Sequence, residues 1–562
     1  MSGSEDDRSV SSKRILKQAG ILAAAGIIVR IIGLLYRSPL TAIIGDEGNG
    51  LYTAAYNIYA VVLLISSYSI PSAVSKIMAG KLALREYASA KRIFVCAFIY
   101  CLIVGGVASL ALFFGAPVLA AHNLLFTDAV PVLRIFAPTI FLFGILGVLR
   151  GYFQAHRTML QTSVSQIIEQ IMNAAMSLLM AHVLIGMATA DDNTTRAVYG
   201  AMGSAIGTGA GVLIALLFMA FLYFISKDVL NKRAAADLNE AEDYGTVFRS
   251  ILRFVTPFIL STFIYNFTTT LDQSIFTRVM INIRGYLEQD VSNSYGVYAG
   301  KAVVISNIPI AISTAFSAAL MPNISGAAAR DDVRDCARIT RQTIRMTMLV
   351  AIPAACGLVA LSRPVTMALF PQRDSLDTAA RLLAAIAVTV IFYSLSTVTN
   401  GVLQGIGRVN VPVVHALVAL IVQGAMLYAL LMYTNLFSMA LVIALIVYSL
   451  LVCILNQLSI RKYLDLKIGW KKVYLFPAVC ALVMAVVAFL VYTGLYALIH
   501  LMNDSEYFSN LLALVFSIGI AVLLYGFLLL KLKIVSAHDL DQMPGGGRLK
   551  KIAERLANMN IL

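Results

Sequence analysis

Two arginines in the first apolar stretch of the chain are spaced for binding an anion. A helix would place four residues on one narrow face, at i, i+4, i+7 and i+11: Gly26, Arg30, Gly33 and Arg37. The glycines leave room beside two guanidinium forks, which suit phosphate or carboxylate. Arg30 would lie about 16 Å into the stretch at 1.5 Å per residue, near mid-membrane depth. Because a charge is costly there, we favour anion binding by Arg30 over an ion pair or snorkelling.

Two further charged residues fall in later apolar stretches. Lys301 is a third basic candidate for substrate binding, with a salt bridge to Asp272 as the alternative. Asp272 shares a helix face with hydroxyl side chains, and carboxylate and hydroxyl oxygens suit Na⁺ or a proton. A plain ion pair is the competing interpretation of Asp272. The residues considered with it are Tyr265, Thr268, Thr269 and the amide donor Asn400.

The fifth apolar stretch carries a polar stripe at helical spacing, formed by Gln166, Glu169, Gln170 and Asn173. Amides on such a stripe more often join helices than line a cavity. Glu169 is different because it is charged, and it is both a candidate site residue and a candidate partner for Arg30.

The sequence carries no pattern typical of an enzyme or a metal site. The six histidines are scattered singly, and the motifs HExxH, GxSxG and GxxxxGK[ST] are missing from the printed chain. The six cysteines show no paired spacing. We therefore expect no catalysis and no cofactor. Any energy for transport must come from a gradient, with Na⁺ or H⁺ coupling, from the membrane potential, or from downhill flow of the substrate.

The elements that must position these residues are membrane helices. Of 562 residues, 59% are hydrophobic and 13% are charged, which excludes a soluble globular protein. Apolar runs predict an all-α polytopic protein with fourteen transmembrane helices. They are 15–44, 51–78, 93–119, 129–152, 159–187, 198–226, 251–278, 295–321, 344–362, 379–404, 409–434, 436–460, 474–501 and 509–532.

The basic residues orient these spans. With the N-terminus inside, 33 of the 43 lysines and arginines fall in cytoplasmic loops and 7 in external ones. The positive-inside rule then places both termini in the cytoplasm. It also accounts for the net charge of +14 without a nucleic-acid partner.

An internal repeat divides the chain. Gly151 and Gln154 recur as Gly401 and Gln404 at an offset of 250, and Pro71 recurs as Pro322 at 251. We read two parallel six-helix lobes around a central cavity, a transporter architecture that works by alternating access. The predicted divisions are a cytoplasmic N-terminus (1–14), an N-lobe (15–226), a cytoplasmic linker (227–250), a C-lobe (251–460), two added helices (461–532) and an amphipathic cytoplasmic tail (533–562).

Five segments carry a family resemblance: VRIIGLLYR, YAGK, LMPNIS, GYFQAHR and GVLQGIGR. With the helix count, they resemble the MOP exporter superfamily. The branch is that of polysaccharide biosynthesis, which includes the stage V sporulation protein B type and the MurJ-like lipid II flippases. Arg30 and Arg37 match the two helix-1 arginines of the family, and Lys301 its basic residue on helix 8. Asp272 matches its cation-site acid, whereas Asp46 and Glu47 are out of register with its acid after helix 1.

The resemblance implies a flippase in the bacterial cytoplasmic membrane, and lipid II is the substrate we favour. It would carry an undecaprenyl-pyrophosphate-linked glycan from the inner to the outer leaflet, with its pyrophosphate on the basic residues and the lipid bilayer around its tail. Cell-wall synthesis machinery is a candidate partner. The alternatives are a flippase for another polyprenyl-linked repeat, a multidrug or cation antiporter, a non-transporting scaffold and a polyprenyl-using glycosyltransferase.

Overall fold

The computed structural model describes residues 3–156, 158–188, 192–237, 241–466, 469–532 and 534. Within these ranges every regular element is a helix, as predicted. The α-helices are α1 (Gly3–Leu63), α2 (Ile70–Ala83), α3 (Tyr87–Tyr100), α4 (Gly106–Leu119), α5 (Val130–Ala155), α6 (Met159–Met187), α7 (Asn193–Ala235), α8 (Tyr244–Thr277), α9 (Glu288–Tyr295), α10 (Val303–Ala328), α11 (Val333–Ala360), α12 (Ser362–Leu369), α13 (Arg373–Ile386), α14 (Thr389–Gly405), α15 (Asn410–Tyr433), α16 (Ser438–Leu464), α17 (Phe476–Met502) and α18 (Glu506–Lys531).

Helix α1 contains two predicted spans. Its 61 residues are interrupted at Gly45, whose φ of 73° and ψ of 177° are not helical. Only glycine adopts such a backbone without strain. An unbroken helix of this length would run about 90 Å, three times the thickness of a bilayer core. The break therefore lies between the predicted spans 15–44 and 51–78.

The predicted count of fourteen spans is not confirmed. Among the described residues, 11 helices are long and apolar enough to cross a membrane, or 12 if the bent pair α13 and α14 forms one span. That count takes residues 28–83 as a single span, although Gly45 divides them. The all-α membrane architecture itself agrees with the prediction.

The chain forms two compact units. Unit 1 comprises Met1–Gly300 and Gly424–Phe437. A hydrophobic core of the described residues lies among α2, α3, α5, α7 and α8. Helices α6 and α7 approach closely through three glycines of α7, at which an added Cβ would lie 2.3–2.6 Å from backbone atoms of α6: Gly203, Gly207 and Gly211. Small residues at four-residue spacing are a common basis of helix packing in membranes.

Unit 2 comprises Lys301–Gln423 and Ser438–Leu562. Its core lies among α10, α11, α14, α16, α17 and α18. Polar bonds also join α17 to α18: Ser517 Oγ donates to the carbonyl of Ala488 at 2.5 Å, and Tyr492 donates to Asn510 Oδ1 at 2.7 Å. The predicted division into six-helix lobes stays a prediction. Apart from residue 534, the predicted tail 533–562 lies outside the described residues.

Candidate functional site

The arginine stripe of α1 lies beside α6 in unit 1. A Cβ added to Gly33 would lie 3.2 Å from Nε2 of Gln170, so this face of α1 meets the polar stripe of α6. Arg37 is half-buried, whereas Arg30 is exposed on the protein surface. The two guanidinium groups therefore stand on a face that keeps one of them open to a ligand.

The polar stripe of α6 joins helices through Asn173. Its Oδ1 accepts hydrogen bonds from Ser177 Oγ at 3.0 Å and Thr208 Oγ1 at 3.4 Å. The Thr208 hydroxyl also lies 3.1 Å from the hydroxyl of Tyr52 on α1. Asn173 thus links α6 and α7, and through Thr208 α1, as we predicted for the amides.

Glu169 has a partner that the sequence analysis missed. Its Oε2 lies 2.6 Å from Nη2 of Arg150 on α5, and the Arg150 side chain is only 7% exposed. Arg150 also donates to Ser165 Oγ from Nε at 3.2 Å and from Nη2 at 2.9 Å. The sequence analysis gave Arg150 no role in the site, although the residue lies within the predicted span 129–152 and within α5. The sequence offered one indication of this contact, since the partners Ser165 and Glu169 lie one helical turn apart on α6.

Aromatic rings pack beside the basic face. Phe136 of α5 stacks on Tyr59 of α1 with ring centroids 4.6 Å apart, and Tyr52 and Tyr56 lie 5.7 and 6.0 Å from the same ring. The charges of Arg37 and Glu169 both act on the Tyr56 hydroxyl. Arg37 therefore lies at the border between this aromatic cluster and the polar stripe of α6.

Asp272 lies in a buried polar region of unit 1. Its charge acts on the hydroxyls of Tyr295 and Tyr298. The adjacent Gln273 accepts a hydrogen bond from Asn57 Nδ2 at 2.8 Å, and the same nitrogen donates to the Tyr295 hydroxyl at 2.9 Å. This region is rich in oxygen atoms, although the described residues contain no group of three or more His, Cys, Asp or Glu that could hold a metal ion.

The face predicted for Asp272 is only partly realised. Thr268 is buried near Asp272, Thr269 is exposed, and the side chain of Tyr265 lies outside the described residues. The cation site at Asp272 therefore stays a prediction.

Lys301 is enclosed in unit 2. It is 1% exposed, and its Nζ donates to Ser375 Oγ of α13 at 2.7 Å. The ammonium also lies 6.0 Å from the ring centroid of Phe370. Lys301 stands in a π-helical segment, Gly296–Ala302, and such segments recur at functional sites. Lys301 belongs to unit 2 and the α1 arginines to unit 1, and their joint role in substrate binding stays a prediction.

Asn400 belongs to a hydrogen-bond network at the end of α14. Its Oδ1 accepts from Asn456 Nδ2 of α16 at 2.7 Å. Asn456 Oδ1 in turn lies 2.7 Å from Nδ1 of His415 on α15. The sequence analysis missed both partners, because their contact depends on how three helices pack. The amide oxygen of Asn400 is engaged by protein, and its role as a cation ligand stays a prediction.

Charge decides what the unit 1 face can do chemically. Along residues 25–44 of α1, and along α5 and α6, the charged residues are Arg30, Arg37, Arg134, Arg150 and Glu169. One carboxylate stands against four guanidinium groups, and that carboxylate is paired with Arg150. The surplus is positive, so this part of unit 1 favours an anion over a cation.

Comparison with known sequences agrees with this chemistry. A family model described as lipid II flippase MurJ matches residues 73–506. The lipid II flippase MurJ of Bacillus subtilis is 26% identical over 432 residues, which cover 73% of this chain and 76% of that protein. The stage V sporulation protein B of the same organism is 24% identical over 548 residues, covering 96% and 99%.

Known structures share the fold. A lipid II flippase MurJ in an inward closed conformation superposes with a TM-score of 0.65 at 14% identity, covering 90% of this chain and 97% of that one. An inward-facing multidrug resistance MATE transporter of the MOP superfamily gives 0.57 at 16% identity, covering 79% and 94%. These similarities confirm the predicted superfamily fold, and at such identities they carry the fold alone.

Proposed function

The chain belongs to the lipid II flippase MurJ family, and we propose that it exports a polyprenyl-pyrophosphate-linked cell-wall precursor, with lipid II as the leading substrate. The family consists of multi-pass transporters of bacterial membranes. For this chain we propose the cytoplasmic membrane, with both termini in the cytoplasm, no catalytic step, and the cell-wall synthesis machinery as a partner.

The observation that carries the proposal is the basic surplus around the α1 stripe. A pyrophosphate needs cationic hydrogen-bond donors in forked geometry, which Arg30 and Arg37 supply. Arg150 is neutralised by Glu169, so it shapes the face without competing for the ligand. Arg30 is exposed on the protein surface, and we propose that a lipid head group reaches its guanidinium there.

In the proposed mechanism the protein makes and breaks no covalent bond. The pyrophosphate binds the arginines, and Lys301 supplies a further positive charge in unit 2. The polyprenyl tail stays in lipid, so its apolar surface is not exposed to water. Alternation between inward and outward access then exposes the head group on the other side of the membrane.

A second substrate within the same class has specific support. The match to stage V sporulation protein B covers 96% of this chain, against 73% for MurJ of the same organism. A precursor other than lipid II, with the same polyprenyl-pyrophosphate anchor and a different glycan, would bind the same basic face. The two substrates differ in their sugars and not in the groups that the arginines bind.

The test measures lipid II on the outer face of cells that are depleted of their own flippase and express this chain. Wild type is compared with Arg30→Ala at matched membrane levels. Arg134→Ala is the control. Arg134 is also an exposed arginine of unit 1, but it stands on α5, lies against Phe113 and is not part of the α1 stripe. Rescue by wild type and Arg134→Ala, with failure of Arg30→Ala, supports the proposal.

The other outcomes are equally informative. Rescue by all three variants removes Arg30 from the mechanism. A well-inserted wild type that does not rescue contradicts lipid II as the substrate, and the same three variants are then tested for export of another polyprenyl-linked glycan. Efflux of organic cations without lipid II exposure would support the antiporter, which the basic surplus disfavours.

A further inference from the structure

His415 is an ionisable side chain inside the helical part of unit 2 that the proposed substrate site does not use. It lies five residues after the start of α15, about 8 Å along the helix. Its Nδ1 is 2.7 Å from Asn456 Oδ1, and its Nε2 is 3.3 Å from Ser459 Oγ. Ionisable residues within membrane helices are rare and most often functional.

The hydrogen bonds around Asn456 fix which histidine nitrogen carries a proton. Thr399 donates its hydroxyl hydrogen to the carbonyl of Leu395 at 2.8 Å, so its oxygen is left to accept from Asn456 Nδ2 at 3.1 Å. The second Nδ2 hydrogen goes to Asn400 Oδ1. The Asn456 side chain is fully buried, and its Oδ1 therefore faces His415 as an acceptor. The neutral ring must carry its hydrogen on Nδ1.

The second nitrogen is thereby left to gain or lose a proton. In the neutral ring, Nε2 accepts a hydrogen bond from the Ser459 hydroxyl. In the charged ring, Nε2–H donates to the same oxygen, and the hydroxyl turns to a backbone carbonyl of its own helix. Serines elsewhere in this chain make that bond, for example Ser449 to Ile446 at 3.0 Å. Both protonation states are therefore hydrogen-bonded without movement of the backbone.

In the sequence repeat, the position in unit 1 that corresponds to Asn400 carries a permanent charge. At the offset of 250 residues, Asn400 corresponds to Arg150, and His415 corresponds to Ser165. Arg150 donates to Ser165 and is permanently charged against Glu169. The position that carries a permanent charge in unit 1 thus carries a neutral amide in unit 2, and the position of Ser165 carries the protonatable His415.

The helices that carry His415 and its hydrogen-bond partners bear charges of one sign. Helices α14, α15 and α16 contain no Asp or Glu. Their ends and the joiner carry the basic residues Arg408, Arg461 and Lys462, and the other titratable side chains are Tyr393, Tyr428, Tyr433, Tyr448, Cys453 and Tyr463. With no carboxylate on these helices, a proton on the ring would add a net positive charge to this end of unit 2.

We propose that His415 is the proton-binding site of unit 2, and that its protonation is coupled to export. Nε2 takes a proton from water, forming an N–H bond and an imidazolium, and returns the proton to water later in the cycle. The inference rests on the proposed export function, for which it names the proton as the coupling ion. Free imidazole changes its charge near neutral pH, which makes it suited to this exchange.

The first test observes the proton directly and does not depend on export. The full chain, with ¹⁵N-labelled histidine, is reconstituted in lipid and titrated from pH 5 to 8, and the His415 signals are assigned by their loss in His415→Asn. We expect an Nδ1–H tautomer at high pH and protonation of Nε2 within the range. A ring that does not titrate, or that carries its hydrogen on Nε2, overturns the proposal.

The second test measures lipid II exposure in cells whose cytoplasmic pH is set to 7.5 or 5.5. The lower pH favours the protonated ring, and the higher pH favours the neutral one. We expect a several-fold change of the export rate in wild type and in His182→Asn, an exposed α6 histidine. His415→Asn, which retains a donor toward Asn456, should export at a pH-independent rate.

The two tests separate the two hypotheses. An equal pH response in wild type and His415→Asn overturns the coupling. Titration of the ring in a protein that exports no lipid II would retain the proton site and contradict only the proposed substrate.

Discussion

Oε2 of Glu169 lies 2.6 Å from Nη2 of Arg150, and this ion pair joins α6 to α5 inside unit 1. Without this partner, Glu169 would be interpreted as a substrate ligand, because it belongs to the polar stripe of α6 that faces α1. The pair supports a structural role as well. When one partner of a buried ion pair is removed, the other charge remains without compensation in a medium of low dielectric.

We therefore expect Glu169→Gln to destabilise the protein by about 1–3 kcal/mol, less than the cost of breaking a fully buried pair because the Glu169 side chain is 24% exposed. The double variant Arg150→Met/Glu169→Met removes both charges and should recover most of that loss. Thermal unfolding of purified protein in detergent measures the effect. A stable Glu169→Gln protein would contradict the structural role, and export by the double variant would remove Glu169 from substrate binding.

A substitution of Lys301 can distinguish the effect of its charge on export from the effect of its side-chain volume. Lys301→Met keeps a long unbranched side chain in the enclosed space but removes the ammonium that donates to Ser375. If the ammonium contributes to binding of the pyrophosphate, export at limiting substrate should fall about tenfold for each 1.4 kcal/mol of lost binding. The measurement is the rate of lipid II exposure at matched membrane levels.

The control for that prediction is Ser375→Ala, which removes the hydrogen-bond acceptor and keeps the charge. Export should then fall by less than in Lys301→Met. Equal losses in the two variants would mean that the bond between them positions α13, and that the charge itself is not needed.

Sequence predicts the lipid-facing part of this protein well, because the bilayer imposes a length. The span predicted at 159–187 is α6 to the residue, since its ends coincide with a Thr158 before it and a polar joiner after it. The prediction for α5 ended at residue 152, and the helix continues for three residues more.

The polar networks were harder to predict, because each depends on the choice of a partner from another helix. Asn456 and His415 are 41 residues apart, and nothing local in either helix indicates the bond between them. The α1 stripe was visible from spacing alone, since a single helix sets its geometry. Residues that share one helix face can be predicted from sequence, whereas pairs that span two helices require the packing.

Two glycines at the contact between α1 and α9 leave no room for a larger side chain. A Cβ added to Gly296, directly after α9, would lie 2.0 Å from the carbonyl oxygen of Asp46, and one added to Gly50 would lie 2.1 Å from that of Ser292. Backbone atoms cannot move aside as a flexible side chain can. Gly296→Ala and Gly50→Ala should each destabilise unit 1 by about 1–3 kcal/mol through overpacking.

Gly519→Ala in α18 is the matched control, because nothing lies within 4 Å of the added Cβ. An alanine inside an exposed helix gains about 1 kcal/mol over glycine, so this variant should unfold at the same or a higher temperature. Thermal unfolding in detergent compares the three variants. Wild-type stability of Gly296→Ala would show that the contact is looser than the distances imply.

Protonation of His156 should make the stability of the folded protein depend on pH. Burial lowers the pKa of His156, and the nearby Arg233 acts in the same direction, whereas the carbonyl of Tyr152, 2.8 Å from Nδ1, partly opposes them. The folded protein therefore binds a proton at His156 less readily than the unfolded chain does. The resulting stabilisation is complete above the unfolded pKa of about 6.5 and is lost as the pH falls through the lower folded value.

We expect the unfolding temperature of wild type to fall between pH 7.5 and pH 5, in part because the unfolded chain takes up a proton at His156 more readily than the folded protein does. His156→Gln cannot take up a proton and should lose that part of the decline. His122→Gln is the control, since His122 is an exposed histidine that makes a similar contact, from Nδ1 to the carbonyl of Val118 at 3.2 Å. A decline that is identical in all three proteins would assign the acid sensitivity to other groups.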